Sequence, residues 1–312
     1  MNRLIAWLPD RIDRRVRVAA WLSFVLNVLI IATGGAVRLT GSGLGCTDWP
    51  VCVPGSLTPT PEMGIHGVIE FGNRTISGPL LLTAVAVVLF VWRMRRSRRD
   101  LFGLALLVLA LVLVQALVGG IVVWEGLDAV LVGFHYTVSV VIVCLTAAFL
   151  RRMSTPEGPR ARAVPRRFAI LTHATSLVLA VTVLVGVVTT ASGPHSGDED
   201  VVRQGFDATV LAHVHAWPGY LLGVLVVVLA AWAAAKRLRP LPWILTLGGI
   251  VLVQIAVGLY QARNGLPPVA VGVHMVLAAL SAATMTVLVL SLTHPTASDD
   301  VEAPQAVAAA AD

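Results

Sequence analysis

The stretch LFGLALLVLALVLVQALVGGIVVW, residues 101–124, contains no charged side chain and one amide, Gln115. As a helix it is long enough to cross the roughly 30 Å hydrocarbon layer of a membrane. Seven further apolar runs of similar length flank it, and clusters of charged residues separate them. We predict eight transmembrane helices, at about residues 18–37, 64–92, 101–124, 129–150, 168–190, 208–235, 242–261 and 269–293.

The composition of the whole chain agrees with this prediction. Of 312 residues, 57% are hydrophobic and only 13% charged, about half the charged fraction of an ordinary soluble domain. A soluble fold is therefore excluded, and helices are expected because lipid offers no partner to unpaired backbone groups. The first apolar run is long enough to span and is not followed by a small-residue cleavage site, so we expect it to stay in the mature protein. The small, acidic tail 296–312 is expected to be disordered.

The Lys and Arg residues predict the orientation of the chain. Of the 23, 19 lie in the N-terminal segment and in the connections at 93–99, 151–167 and 236–239. By the positive-inside rule these segments and both termini lie in the cytoplasm. The net charge of +6 then reflects attraction to anionic lipid headgroups, and no nucleic-acid partner is expected.

An internal repeat divides the chain in two. LVQALVGGIVVWEGLDAVLVGFH (113–135) and LVQIAVGLYQARNGLPPVAVGVH (252–274) align without a gap at an offset of 139, which pairs His135 with His274. We predict an all-α membrane protein of two tandem four-helix bundles, related by a pseudo-two-fold axis along the membrane normal. Glycines at matched positions are interpreted as close-packing points between helices. The predicted units are residues 1–150 and 151–295.

Histidines recur at one depth in both predicted bundles. One lies a few residues inside the predicted outer end of the second, fourth, sixth and eighth helix. Because imidazole is a standard axial ligand of heme iron, facing histidines from two helices could hold a heme in each bundle. His213 and His215 cannot both face the bundle centre, since they are two residues apart on a helix, and AWPGY after His215 favours that residue. The candidate iron ligands are His66, His135, His215 and His274.

Three charged residues lie near these histidines. His195, in an outer loop, is expected to be solvated or interfacial. Glu70 is the only carboxylate well inside a predicted span, and it shares a helix face with Arg74 four residues later. It could simply pair with Arg74, or it could transfer protons beside a bound ligand. Arg38 and Arg74, near the outer interface, could pair with heme propionates or extend toward lipid headgroups.

Two cysteines lie close together in the first outer loop. Cys46 and Cys52 flank the turn CTDWPVC, while Cys144 lies alone in the fourth predicted helix. Disulfides persist outside the cytoplasm, so we expect a Cys46–Cys52 bridge that fixes this loop over the outer mouth of the first bundle. Metal binding by the two thiols is the alternative. Cys144 is interpreted as a small apolar packing residue.

Three motifs, together with the histidines that open the fourth, sixth and eighth helices, closely resemble the heme A synthase family. They are VRLTGSGLGCTDWPVC (37–52), IEFGNR (69–74) and TTASGPHSGD (189–198). Members of this family oxidise the C8 methyl group of heme O to a formyl group, which makes heme A for terminal cytochrome c oxidases, and they carry a second, b-type heme. The resemblance implies a membrane oxidoreductase of the bacterial cell membrane, with heme b as cofactor, heme O as substrate and heme A as product. Heme O synthase and cytochrome oxidase assembly factors are the candidate partners, and the electron donor is left open.

The resemblance also implies roles for single residues. Glu70 matches the glutamate of the family pattern E-x-x-H-R, and Arg74 matches its arginine. Three of the four family ligand histidines are matched by His135, His215 and His274.

The fourth ligand position departs from the family pattern. Asn73 stands where a histidine is expected, and an amide is a poor iron ligand. Either His66, two helical turns earlier, replaces the missing ligand, or the iron there is five-coordinate. Because the oxidation needs an open position at iron or a strongly oxidising heme, we expect the substrate heme in the first half and the b-type heme between His215 and His274. The 191–207 loop also lacks the cysteine pair that many family members have.

Two other functions fit the same pattern. A membrane b-type cytochrome would use the histidine pairs for two permanent hemes and would only transfer electrons, but Glu70 beside an incomplete ligand set favours the enzyme. A transporter without heme would explain the parallel repeats, but its helices should be interrupted near the midplane, whereas the prolines mostly lie at helix ends.

Overall fold

The computed structural model describes residues 7–198, 201 and 206–296. Eight long α-helices dominate this part of the chain, and each is long and apolar enough to cross a membrane. They confirm the predicted all-α class and the eight predicted spans. In chain order they are α1 (Arg14–Leu39), α2 (Gly64–Val91), α3 (Arg99–Trp124), α4 (Ala129–Met153), α5 (Arg166–Ala191), α6 (Ala208–Ala235), α7 (Leu241–Arg263) and α8 (Pro268–Leu290).

Two short strands depart from the predicted helical pattern. β1 (Arg160–Arg162) pairs antiparallel with β2 (Thr293–Pro295), so a segment predicted as a loop contains a strand. α8 ends at Leu290, slightly before the predicted boundary at 293, because the next residues pair with the chain around β1. Residues 297–312 of the tail predicted to be disordered lie outside the described residues.

Three of the helices begin at aspartates that cap them. The side chains of Asp13, Asp128 and Asp207 accept hydrogen bonds from backbone N–H groups in the first turns of α1, α4 and α6. The N–H groups of Val210 and Thr209 lower the pKa of the Asp207 carboxyl. An N-cap of this kind satisfies donors that have no partner inside the helix, and so fixes where each span starts.

The helices form two rings of neighbours. In the first half, which is α1–α4, α1 contacts α2 and α4, and α3 contacts α2 and α4. In the second half, which is α5–α8, the same pattern joins α5 to α6 and α8, and α7 to α6 and α8. The halves meet where α4 packs on α8, with α1 on α8 and α4 on α5 beside it. Small side chains there, including Ala147, Ala279 and Ala283, let the helix backbones approach closely.

The two ends of the bundle differ in chemistry. The loop end carries the connections α1–α2, α3–α4, α5–α6 and α7–α8, which touch one another: the N–H of Gly43 donates to the carbonyl of Gly197 over 2.9 Å. The basic end carries the other connections, and there Arg98 donates to the carbonyl of Arg152 over 2.7 Å. The candidate site lies toward the loop end.

Candidate functional site

Two histidines of the second half face each other across the bundle. His215 on α6 and His274 on α8 place their ring centroids 6.0 Å apart, with the ring planes at 75°. The Nδ1 atoms of both rings are buried and have no hydrogen-bond partner among the described residues. His213 is exposed, and its Nδ1 lies 2.8 Å from the carbonyl oxygen of Thr209 on its own helix. The structure therefore turns His215, and not His213, toward His274.

Glycines on the neighbouring helices bring both rings into place. A Cβ atom built at Gly186 on α5 would lie 2.8 Å from Cε1 of His215, and one at Gly258 on α7 would lie 3.3 Å from Cε1 of His274. Each imidazole thus packs directly on a helix backbone, where a larger residue would push it away.

The first half repeats this arrangement around His135. A Cβ atom at Gly119 on α3 would lie 3.5 Å from Cε1 of His135, and the His135 Nδ1 is also buried without a partner in the described chain. Gly119 and His135 are the residues that align with Gly258 and His274 at the offset of 139. The repeat seen in the sequence therefore corresponds to a repeated contact, between a glycine and a histidine ring.

The structure separates the other two first-half candidates. Asn73 is half-buried on α2, where its Oδ1 lies 2.7 Å from the Thr33 hydroxyl of α1. His66, the third residue of α2, is exposed, and its Nδ1 lies 2.9 Å from the Ser42 hydroxyl in the loop after α1. Asn73 thus lies between two helices, whereas His66 lies at the loop end.

The predicted disulfide is confirmed. Cys46 and Cys52 are bonded and buried, and the loop between them lies against α3. A Cβ atom at Gly120 would lie 2.6 Å from the Trp49 ring, and Trp49 meets Trp124 edge to face at a centroid distance of 5.6 Å. We call residues 46–52 the disulfide loop. It closes over α2 and α3 at the loop end.

Glu70 and Arg74 hold the disulfide loop on α2. The Glu70 residue is only 4% exposed, and its carboxylate accepts from the N–H of Cys46 and from the Arg74 guanidinium. Arg74 also donates to the carbonyl oxygens of Asp48, Val51 and Cys46 at 2.7, 3.0 and 3.3 Å. The pairing of Glu70 with Arg74, one of the two predicted alternatives, is present, and the pair binds the loop as well.

Arg38 joins the two halves. Its Nε donates to the carbonyl of His195 over 2.8 Å, and its terminal nitrogen donates to the carbonyl of Thr190 over 2.6 Å. His195 in turn places its Nε2 2.9 Å from the carbonyl of Leu266, in the α7–α8 connection. His195, expected to be solvated or interfacial, is half-buried and linked to two other segments. The motif GPHSGD identified this loop in the sequence but did not predict its contacts.

Gln115 is a site residue to which the sequence assigned no role. Its amide nitrogen donates to the carbonyl of His135 and to the hydroxyl of Ser139, both over 2.7 Å. Its Oε1 is buried without a partner among the residues described, and so is Oε1 of the aligned Gln254. The ungapped repeat was the signal that could have identified both amides.

The fold and the site together define a class: helical membrane proteins that enclose buried histidines within groups of four helices, here a facing pair in the second half and His135 in the first. Residues 17–67 and 60–194 match the COX15-CtaA family model, described as cytochrome oxidase assembly protein. These matches include more than half of the chain, and the chain belongs to this family. The match ends before His215, so the second-half pair rests on its own geometry and on the repeat.

Curated relatives carry the name heme A synthase. The chain is 32% identical over 140 residues to the heme A synthase of Exiguobacterium sibiricum, which is 43% of this chain and 46% of that protein. It is 33% identical over 130 residues to the heme A synthase of Bacillus cereus strain AH187, 40% of this chain and 41% of that one. The chain thus spans less than half the length of the curated relatives it matches.

Proposed function

We propose that this chain is a heme A synthase, an oxidoreductase that converts the C8 methyl group of heme O to a formyl group and so makes heme A for cytochrome c oxidase. Family membership and the names of the relatives support this proposal. The observation that carries it is the facing pair His215 and His274, 6.0 Å apart between ring centroids.

The spacing of this pair fits a heme iron. A metal–imidazole bond is about 2 Å long and the ring centre lies about 1 Å behind the bonding nitrogen, so two imidazoles on opposite sides of one metal ion place their centroids about 6 Å apart. The described residues contain no group of three or more His, Cys, Asp or Glu side chains that could hold a metal ion by themselves. His215 and His274 would therefore hold an iron whose remaining ligands a porphyrin would supply.

The two halves are proposed to hold different hemes. In the second half, His215 and His274 would hold a b-type heme. In the first half, His135 would hold heme O, and the buried Glu70 would move protons beside it. Bound heme would supply the oxidising chemistry, while the chain holds and orients the porphyrin and excludes water. Because Arg38 and Arg74 already donate to backbone carbonyls, contact with a heme propionate would compete with those bonds.

The proposed location is the bacterial cell membrane, with both termini and the basic end in the cytoplasm. The concentration of Lys and Arg at one end and the disulfide at the other support this orientation. A pseudo-two-fold axis along the membrane normal is supported by the pairing of the helices, since the same pairs are neighbours when α1–α4 exchange with α5–α8. Heme O synthase, as the source of the substrate, and cytochrome oxidase assembly factors are the proposed partners.

The test of this function is pigment extraction from membranes that make heme O, with and without this chain. Heme A is expected only with the chain, and a His135→Ala variant should not produce it, because heme O would lose its protein ligand. Membranes that contain the intact chain but no heme A would contradict the proposal. A heme-loaded chain that leaves heme O unaltered would instead indicate a b-type cytochrome.

A substitution at Gly258 tests whether the glycine positions His274. Gly258→Leu should displace the ring and lower the occupancy of the second-half heme, because a Cβ there already lies 3.3 Å from Cε1 of His274. Gly249→Leu, on the same helix, is the matched control, since a Cβ there meets no described atom within 4 Å. Heme per chain, measured by absorbance on the purified variants, should fall only for Gly258→Leu. Equal occupancy in both would show that the glycine does not set the ring position.

A further inference from the structure

Comparing the two halves of the bundle identifies the residue that takes the place of His215 in the first half. In the second half, the histidine on the second helix, α6, packs against a glycine of the first helix, α5. In the first half, the corresponding helices are α2 and α1. There, a Cβ atom built at Gly34 of α1 would lie 3.8 Å from Oδ1 and 4.0 Å from Nδ2 of Asn73. Asn73 thus occupies the position that His215, a candidate iron ligand, has in the second half.

The fourth helices of the two halves are alike at this site. His135 and His274 align, and each packs on an aligned glycine of the preceding helix. The halves therefore match at one of the two facing positions and differ at the other, where an amide replaces an imidazole.

His66 lies at a different level of α2. Seven residues of α-helix separate it from Asn73, a rise of about 10 Å. His66 is exposed, and its ring is bonded to Ser42 in the loop after α1. A histidine at this distance along the helix cannot replace one at the Asn73 level without a rearrangement of the loop end.

Asn73 is held in place by a polar partner from α1. The hydroxyl of Thr33 lies 2.7 Å from its Oδ1, and both residues are half-buried between helices. A polar pair within a span is costly unless each group is bonded, so such pairs commonly mark a functional position. The contact with Thr33 uses only part of the hydrogen-bonding capacity of the Asn73 amide, so the amide can also bind a small polar molecule.

We propose that the first half gives heme iron a single protein ligand, His135, and that Asn73 with Thr33 forms a polar site for a small oxygen-containing or anionic ligand at the position that His215 has in the second half. This inference rests on the proposed function. It assigns the two halves different coordination: the second half is closed by two histidines, and the first is open on the Asn73 side.

The test uses the full-length purified chain loaded with heme b and titrated with azide, followed by absorbance and electron paramagnetic resonance. We expect two heme populations, one low-spin and insensitive to azide, the other high-spin and shifted by azide. Asn73→His should convert the second population to low-spin and remove its azide response. The mirror variant, His215→Asn, should give the second half an azide response, and it keeps the test decisive if Asn73→His does not fold.

A variant at His66 tests the alternative that this histidine is the second iron ligand of the first half. His66→Ala should leave both spectra unchanged. If the loaded wild-type chain contains only low-spin hemes, or if His66→Ala creates the high-spin signal, the proposed open position is wrong while the heme function stands. A folded chain that takes up no heme in either half would instead overturn the proposed function itself.

Discussion

His274→Ala is expected to remove the low-spin b-type spectrum of the second half and to abolish heme A formation. In the structure His274 has one facing imidazole, His215, at a centroid distance of 6.0 Å, so the variant leaves the iron with one protein ligand. We expect heme binding in this half to weaken by more than about 100-fold, since even the outer partners of metal ligands contribute about 10- to 100-fold. His215→Ala should weaken binding likewise, and heme that is still taken up at a higher heme concentration should be high-spin, with His274 as its one protein ligand.

The measurement is the low-spin b-type spectrum per mole of purified chain. His213→Ala is the matched control: it removes an imidazole two residues from His215, but one that is exposed and bonded to its own helix. The control should keep the full spectrum. An unchanged spectrum in His274→Ala, or equal loss in His213→Ala, would contradict the assignment of this pair as ligands.

Two features could be predicted because they follow from local rules: the spans, and the fact that His213 and His215 point to different sides of their helix. Hydropathy over about 20 residues defines a membrane helix, and the helical period separates His215 from His213. The strands β1 and β2 could not be predicted in this way. Three residues carry too little pattern to distinguish a strand from a loop, and their partners are more than 130 positions apart.

The contacts of the arginines were only partly predictable. That Glu70 and Arg74 pair follows from their spacing of four residues on one helix. Arg74 also binds three loop carbonyls. These contacts depend on the path of the disulfide loop, which no residue pattern specifies. Arg38 donates to residues more than 150 positions away, so its role between the halves required the packed structure. Matched glycines were expected to bring helices together, whereas Gly119 and Gly258 receive histidine rings.

Arg74→Met is expected to destabilise the loop end more than any other single arginine change that the contacts suggest. The substitution leaves the Glu70 carboxylate buried with the N–H of Cys46 as its remaining partner, and frees three loop carbonyls. Removing one partner of a buried ion pair costs about 3–5 kcal/mol, because an uncompensated charge stays behind. The structure thus predicts a lower unfolding temperature in detergent and faster proteolysis near Leu57, which is 70% exposed beside the loop.

Arg263→Met is the matched control for this experiment. Arg263 is also at the loop end, as the last residue of α7, but it is exposed and has no ion pair among the described residues. Its removal should change the free energy of unfolding by less than about 0.5 kcal/mol. Similar losses in Arg74→Met and Arg263→Met would show that charge at this end, and not the Glu70 contact, sets stability.

The double variant Glu70→Gln with Arg74→Met separates the structural role of Glu70 from the proposed catalytic one. It removes the uncompensated charge, so much of the stability lost in Arg74→Met should return. If Glu70 only anchors the disulfide loop, heme A formation should recover together with the unfolding temperature. If Glu70 also transfers protons, activity should stay low in a chain whose loop is again protected from protease, because glutamine has no acidic proton to give. Activity that returns fully with stability would therefore reject the catalytic role and leave the anchoring one.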